Sequence, residues 1–309
     1  MIVIRHLNQI KSVSNGLSLS IGNFDGVHLG HKKIISEVKK VAAEKKLFSA
    51  ILTFEPHPIA FLKNQYAKDF RITSLAQKLE IFREQKIDYA ILLPFNQKIA
   101  AIEAEDFISQ ILVKSLNVKH LSVGYDFIFG KNRQGNFSLL KSAAQKFDFS
   151  LNEVSAFTKY EQVCSSSLVR KLINEGEIIA ANNFLGRNFS VSGAVINGKK
   201  MANKIGFATA NLMVKPYMVK PKFGVYKTIT FIPALQKKFL SITNFGIKPT
   251  FDGINLPLIE THILNFNQNI YGKKIIVEFV DFIREEQKFE SIEELKLQIE
   301  RDLEKINKN

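Results

Sequence analysis

The sequence predicts a two-domain α/β chain. Residues 1–185 are expected to form a doubly wound parallel sheet with helices on both faces, and residues 186–309 an antiparallel sheet or small antiparallel β-barrel followed by a terminal helix. Two patterns carry this expectation. The first half alternates short β-rich runs with amphipathic helical stretches, the order expected of βαβ units. After about Gly186 the runs become strands separated by turns with few helices. The length of 309 residues suits one large domain or two ordinary ones, and 46% hydrophobic residues can bury at least one real core.

Taken in order, "LSLSIG" from Leu17, "FSAILTF" from Phe48, "YAILLP" from Tyr89, "HLSVG" from His120 and "FSLNEV" from Phe149 read as strands. The stretches "HKKIISEVKKVAAEK" from His31 and "SLAQKLEIFREQ" from Ser74 read as the helices between them. In the second half the strands are "SVSGAVING", "GVYKTITFI", "FLSITNFG", "LIETHILNF" and "KKIIVEFVDFI". The chain then enters "SIEELKLQIERDLEKI", where Ser291 and Glu294 have the spacing of a capping box.

Runs such as "YAILLP" fall far short of the roughly 20 apolar residues that span a bilayer, and the first residues lack a signal-peptide core, so a cytoplasmic location is expected. The single cysteine, Cys164, excludes an internal disulfide. A formal charge of +14 asks for an anionic partner. Its lysines are spread along stretches such as "EVKKVAAEKK", which read as solvated helix faces rather than a docking stripe. Nucleic acid, phosphorylated small molecules and a membrane surface are all candidates for that partner, and charge alone does not choose among them.

The stretch "SIGNFDGVHLGHKKII", Ser20 to Ile35, sets a glycine-rich turn between a strand and a helix. A helix N-terminus presents backbone N–H groups and a positive dipole end, which suit a phosphate. Gly22 and Gly26 allow a tight turn, and Gly30 removes a side chain where another group must approach. His28 and His31 fall together at that end, with ring N–H groups suited to phosphate oxygens. An HxxH pair also suits a metal, but no further Cys or His nearby completes such a site.

The segment resembles the HxGH signature of nucleotidyltransferases, and more narrowly the prokaryotic bifunctional riboflavin kinase/FAD synthetase family. "TFEPHP", "GYDFIFGKNRQGN" and "CSSSLVRKLINEG" match that family's segments in order. The resemblance implies that His28, His31 and Arg170 serve adenylyl transfer to FMN, with Gly22, Asn23, Phe24, Asp25 and Gly30 on the nucleotide. It also implies that His57, Asp126 and Phe127 line the nucleotide or flavin site, and that Ser165, Ser166 and Ser167 open the helix bearing Arg170.

"GAVINGKK" fails as a P-loop, because Lys200 stands where a hydroxyl is needed and no helix follows. "NGKKMANKIGFATANL" instead resembles the nucleotide loop of riboflavin kinase, which implies Gly198, Lys204, Gly206, Thr209 and Asn211 around MgATP, with Thr209 and Asn211 on Mg²⁺. In "PLIETHILNF", Glu260 and His262 fall on one strand face and Thr261 on the other. By the same resemblance Glu260 is the general base for riboflavin, and Arg284 and Glu285 border the flavin. Two departures stand out: Ala208 replaces the family's proline, and Met201–Asn203 replace its Arg-Gly-Arg.

The resemblance implies phosphorylation of riboflavin to FMN, then adenylylation of FMN to FAD, with riboflavin, FMN and ATP as small-molecule partners and no nucleic acid, membrane or obligate protein partner. The rivals are an adenylyltransferase with a degenerate kinase domain, a flavin-binding regulator, and a class I aminoacyl-tRNA synthetase.

Overall fold

The computed structural model describes residues 1–7, 15–62, 69–196, 209–249 and 255–308. Contacts divide the chain into two units, Met1–Ser166 and Ser167–Asn309.

In the first unit, β1 (Ile2–Ile4), β2 (Leu17–Ile21), β3 (Phe48–Glu55), β4 (Tyr89–Pro94), β5 (Val118–Gly124) and β6 (Ser150–Val154) form one sheet. Its order is β1-β4-β3-β2-β5-β6, and every neighbouring pair is parallel. The helices are α1 (Leu29–Lys45), α2 (Pro58–Leu62), α3 (Leu75–Glu84), α4 (Gln97–Ala100), α5 (Ala104–Asp106), which runs on as a π-helical stretch Phe107–Ser115, and α6 (Phe137–Phe147). A short hairpin, β7 (Thr158–Lys159) and β8 (Gln162–Val163), precedes α7 (Ser166–Glu175).

Alternation along the strands explains the double winding. Ala50 and Leu52 of β3 join Leu19 of β2, the π-helical stretch and Leu140 of α6 in one core. Ile51, between them, joins Ile35 of α1 with Ile81 and Phe82 of α3 on the opposite side. Helices therefore cover both faces, as expected. Helix α3 begins with a reciprocal cap: Ser74 Oγ accepts from the Gln77 amide at 3.3 Å, and Gln77 Oε1 accepts from the Ser74 amide at 2.9 Å.

Strand β2 is the topological switch. The chain runs from β2 through β3 to β4 on one side, while β5 and β6 lie on the other. Crevices open beyond the carboxyl ends of strands at such points. The Gly22–His28 turn leaves β2 there.

His120 of β5 is buried between two hydroxyls, with Nδ1 2.8 Å from Ser150 Oγ and Nε2 2.9 Å from Ser122 Oγ. Burial, with a smaller contribution from Lys45, lowers its pKa from 6.5 to about 4. A depressed histidine favours the folded state fully above the unfolded pKa of 6.5, and that contribution is lost as pH falls towards 4. Thermal denaturation from pH 7.5 to 4.5 is therefore expected to show a falling midpoint for the parent. His120→Gln is expected to have a shallower pH dependence, and equal slopes would remove His120 as a cause.

In the second unit, β9 (Phe189–Ala194), β10 (Thr209–Met213), β11 (Gly224–Ile232), β12 (Lys237–Pro249), β13 (Asn255–Ile263) and β14 (Lys274–Arg284) pair antiparallel in the order β10-β13-β12-β11-β14-β9. A bridge just past β9, where the Ile196 amide donates to the Asn211 carbonyl at 2.9 Å, brings the two edge strands together. That closure yields the expected small barrel. Thr228, Thr230, Ser241, Thr243 and Thr261 are fully buried and joined by hydroxyl contacts of 2.7–3.0 Å. Each of these hydroxyls is thereby satisfied.

Helix α8 (Ile178–Leu185) lies against β14, where Asn182 Nδ2 donates to the Phe279 carbonyl. In α9 (Ile292–Lys308), Leu303 and Ile306 pack on Val225, Leu240 and Ile242. Half of its anticipated capping box forms: Ser291 Oγ accepts from the Glu294 amide at 3.1 Å, while Glu294 Oε2 takes the Glu290 amide instead.

Candidate functional site

The turn after β2 is shaped by unusual backbone. Phe24 and Val27 have φ of 47° and 40°, and both are buried. Such conformations cost about 1–3 kcal/mol each and persist only where surrounding contacts over-determine them. Those contacts are present. Asn23 O accepts from Lys78 Nζ at 2.6 Å and from Thr53 Oγ1 at 3.2 Å. The buried Asp25 carboxylate accepts from the amides of Ile72 and Thr73 at 3.0–3.3 Å. Thr73 Oγ1 in turn accepts from the Gly26 amide at 3.2 Å, and Ser166 Oγ donates to Asp25 O at 2.9 Å. At Gly26, with φ of 81°, a Cβ would lie 3.0 Å from the Ile72 side chain.

His28 caps α1: its Nδ1 accepts from the His31 amide at 3.3 Å. A neutral ring that accepts at Nδ1 carries its proton on Nε2. The His28 and His31 rings stack with centroids 3.7 Å apart, and Phe24 lies 5.0 Å from His31. Gly30 makes this possible, because a Cβ there would stand 3.1 Å from the His28 ring and 3.3 Å from the Cys164 carbonyl. The spacing of the motif is thus a packing requirement. Cys164 Sγ lies 3.5 Å from His28 Nδ1, and burial raises its pKa.

Other sequence-predicted residues of the first unit lie past the carboxyl ends of its strands. His57 follows β3, is buried, and its Nδ1 accepts from the Ile59 amide at 3.2 Å. Past β5, Asp126 is exposed while Phe127 is half-buried and stacks on Phe129. Ser165 and Ser166 are half-buried, and Ser167 is exposed. Ser166 spends its hydroxyl on the Asp25 carbonyl, tying the start of α7 to the turn. Arg170 is half-buried one turn further along α7.

On the barrel, strand register gathers the second set. Asn211 stands opposite Glu260, and Glu260 opposite Asn244, while Thr209 pairs with His262. Residues directly opposite share a face, so Thr209, Asn211, Glu260, His262 and Asn244 form one patch. Thr261 points into the barrel, as the alternation predicts. Asn211 is buried, and its Oδ1 has no hydrogen-bond partner among the described residues. Asn244 Nδ2 donates to Glu286 Oε1 at 3.0 Å. Gly198, Lys204, Gly206 and the two departures, Met201–Asn203 and Ala208, lie outside the described residues.

Arg284 binds the buried Asp302 carboxylate of α9 through Nε and Nη2 at 2.8–3.1 Å. Its guanidinium therefore anchors α9 to the end of β14. Glu285 is exposed and pairs with Lys222 at 2.7 Å, which lowers its pKa.

Lys78, Thr53, Asn244 and Glu286 were absent from the sequence-based set. Only Lys78 leaves a local signal: it precedes Ile81 and Phe82 by three and four residues, on the buried stripe of α3. Among the described residues, no group of three or more His, Cys, Asp or Glu side chains could hold a metal ion.

A family model for FAD synthetase matches residues 10–168, and one for riboflavin kinase matches residues 185–309. A Buchnera aphidicola (subsp. Schizaphis graminum) protein named bifunctional riboflavin kinase/FMN adenylyltransferase is 38% identical over 310 residues, covering 100% of this chain and 98% of its own. A Haemophilus influenzae protein of the same name is 38% identical over 304 residues, covering 98% and 97%. Among solved structures, a Streptococcus pneumoniae protein named a macrolide-efflux protein matches with a TM-score of 0.87 and 29% identity over 98% of both chains. Among the described residues of this chain, no helix is long and apolar enough to cross a membrane. With both family models matched in order and full-length relatives above one-third identity, the chain belongs to the bifunctional riboflavin kinase/FMN adenylyltransferase family.

Proposed function

We propose that this chain performs two successive transfers on a flavin: the γ-phosphoryl group of ATP to riboflavin in residues 186–309, then the adenylyl group of a second ATP to FMN in residues 1–185, releasing pyrophosphate. The observation that carries the reading is the full-length likeness to bifunctional relatives, supported by the stacked His28–His31 pair at the start of α1 and by the register that sets Thr209 and Asn211 beside His262 and Glu260.

For adenylyl transfer, the FMN phosphate attacks the α-phosphorus of ATP, so no side chain needs to become a nucleophile. The protein holds the two phosphates together and offsets charge on the oxygens. His28 and His31, with the first amides of α1, are aimed at that charge, and Arg170 adds a forked cation for the departing pyrophosphate. Gly22, Asn23, Phe24, Asp25 and Gly30 give the turn its shape. His57, Asp126 and Phe127 border the flavin, and the hydroxyls of Ser165, Ser166 and Ser167 open the helix that carries Arg170.

For phosphoryl transfer, Glu260 accepts the ribityl hydroxyl proton as that oxygen attacks the γ-phosphorus. The buried Asn211 Oδ1 and the Thr209 hydroxyl on the same face are neutral oxygens, the ligand type that suits Mg²⁺ retaining several waters. They would hold the ion with ATP, where it neutralises phosphate charge. Gly198, Lys204 and Gly206 cover the nucleotide, and Arg284 fixes α9 beside the flavin. A cytoplasmic location fits the one buried free thiol, Cys164, and the +14 charge fits anionic nucleotide substrates.

Incubating the full chain with riboflavin, ATP and Mg²⁺ and separating the products by chromatography tests the reading. FMN and FAD are both expected. Riboflavin and supplied FMN both left unconverted would overturn it, and FAD formed only from supplied FMN would return the chain to an adenylyltransferase alone.

A further inference from the structure

We infer that Lys78 is a positioning residue for adenylyl transfer, its ammonium group holding the turn that presents His28 and His31. This rests on the assignment of that turn to the ATP site. Three facts about the turn lead to it.

The first is where the bond falls. Lys78 Nζ donates to the carbonyl of Asn23, between Gly22 at the strand end and the left-handed Phe24. A carbonyl fixed there dictates the direction in which the chain leaves β2, and α1 begins only a few residues later. Thr53 Oγ1 reaches the same oxygen, so the bond is one of two at a single point.

The second is charge. Lys78 is 4% exposed, and the charged groups that face it come from three elements: Asp25 from the turn, Arg71 from the segment before α3 and Glu55 from the end of β3. Glu55 and Arg71 form a bidentate pair at 2.8–3.0 Å and largely neutralise one another. Asp25 is left as the counter-charge of Lys78, while its oxygens are spent on the amides of Ile72 and Thr73. A buried carboxylate deprived of its cation is costly. Loss of the Lys78 charge therefore loosens Asn23 and Asp25 together, on both sides of Phe24.

The third is that the ammonium is poised to lose its proton near physiological pH. Burial lowers the Lys78 pKa from 10.5 to about 8; Asp25 opposes this, Arg71 adds to it and Glu55 opposes it. Protonated Lys78 holds the turn below about pH 8; as pH rises through that value the neutral amine can still donate to the Asn23 carbonyl but no longer offsets the Asp25 charge, so the hold weakens. A lysine that merely filled space would give no such pH dependence.

The test is kcat/KM for FMN adenylylation by the full chain at saturating MgATP from pH 6.5 to 9.5, with riboflavin phosphorylation as the control within the same molecule. The parent is expected to lose activity about tenfold per pH unit above its inflection. Lys78→Arg, whose guanidinium stays charged throughout, is expected to keep activity at pH 7.5 within about tenfold and to lose the alkaline limb. Lys78→Met is expected to lower adenylylation at pH 7.5 by about 10²-fold while phosphorylation holds. An absent alkaline limb in the parent, a limb that persists in Lys78→Arg, or a folded Lys78→Met within threefold of the parent would each overturn the inference. If Lys78→Met fails to fold, the comparison of parent with Lys78→Arg decides. His28→Ala run alongside separates the two readings: an unaffected His28→Ala refutes the assignment of the turn itself.

Discussion

His28→Ala lowers FAD formation from FMN and ATP by about 10²–10³-fold while riboflavin phosphorylation by the same molecule is unchanged, the loss expected for a donor aimed at developing charge. The geometry makes this residue sensitive in two ways. With Nδ1 engaged by the His31 amide, the neutral ring keeps its proton on Nε2, which leaves one defined donor. The ring also stacks on His31, so its removal takes away one of the ring contacts that orient the second imidazole, leaving that with Phe24. A third consequence, loss of the α1 cap, costs about 1 kcal/mol of stability and must be separated from the chemistry. His28→Asn does that, since asparagine caps helices well but offers no stacked ring. Its thermal midpoint should return towards the parent while adenylylation stays low. Parental adenylylation in His28→Asn would show that the cap, not the ring, matters, and equal loss of both activities in folded His28→Ala would show that the effect is not local.

How far the sequence could be read depended on the range of the interaction. Strands β2 to β6, β9 and β11 to β14 were legible because their signals are local: short apolar runs where both faces of the parallel sheet are buried, and period-two alternation in barrel strands such as β11. Strand β1 has three residues, too few to show a period, and β10 was hidden because "TANL" looked like a polar binding segment although Thr209–Met213 is a strand. Alternation placed Glu260 and His262 on one face and Thr261 on the other, but Thr209, Asn211 and Asn244 join that patch only through cross-strand register. The supports of the His28 turn did not follow. Asp25 reads as a polar residue of a phosphate loop, yet its carboxylate serves amides 47 and 48 residues away. Ser166 reads as a helix cap, yet its hydroxyl serves a carbonyl 141 residues away. Motif spacing reports which residues meet the ligand, whereas the contacts that hold the motif in place are set by tertiary packing. Arg284 is a case of the same kind: charged Glu285 and Glu286 follow it in sequence, but its partner is Asp302, 18 residues on within α9.

Glu260→Gln is expected to abolish most FMN formation, by about 10²–10⁴-fold, while FMN supplied directly is still converted to FAD. The substitution is informative because of what surrounds the residue. Register places amide side chains on both sides of Glu260, Asn211 on β10 and Asn244 on β12, and a glutamine preserves shape and hydrogen bonding in that row. What it loses is the ability to take a proton. If Glu260 acts only as a structural partner on the barrel surface, the amide should be tolerated, with stability within about 0.5 kcal/mol of the parent and phosphorylation intact. If Glu260 is the base, stability is again near parental but kcat falls, while KM for ATP changes little because Thr209 and Asn211 remain. Stability therefore does not discriminate between these alternatives, and the split between kcat and KM does. An unchanged kcat for riboflavin would remove Glu260 from the chemistry. A raised KM for ATP at constant kcat would instead make it part of nucleotide binding, leaving the proton to another acceptor, with His262 on the same strand face the next to replace.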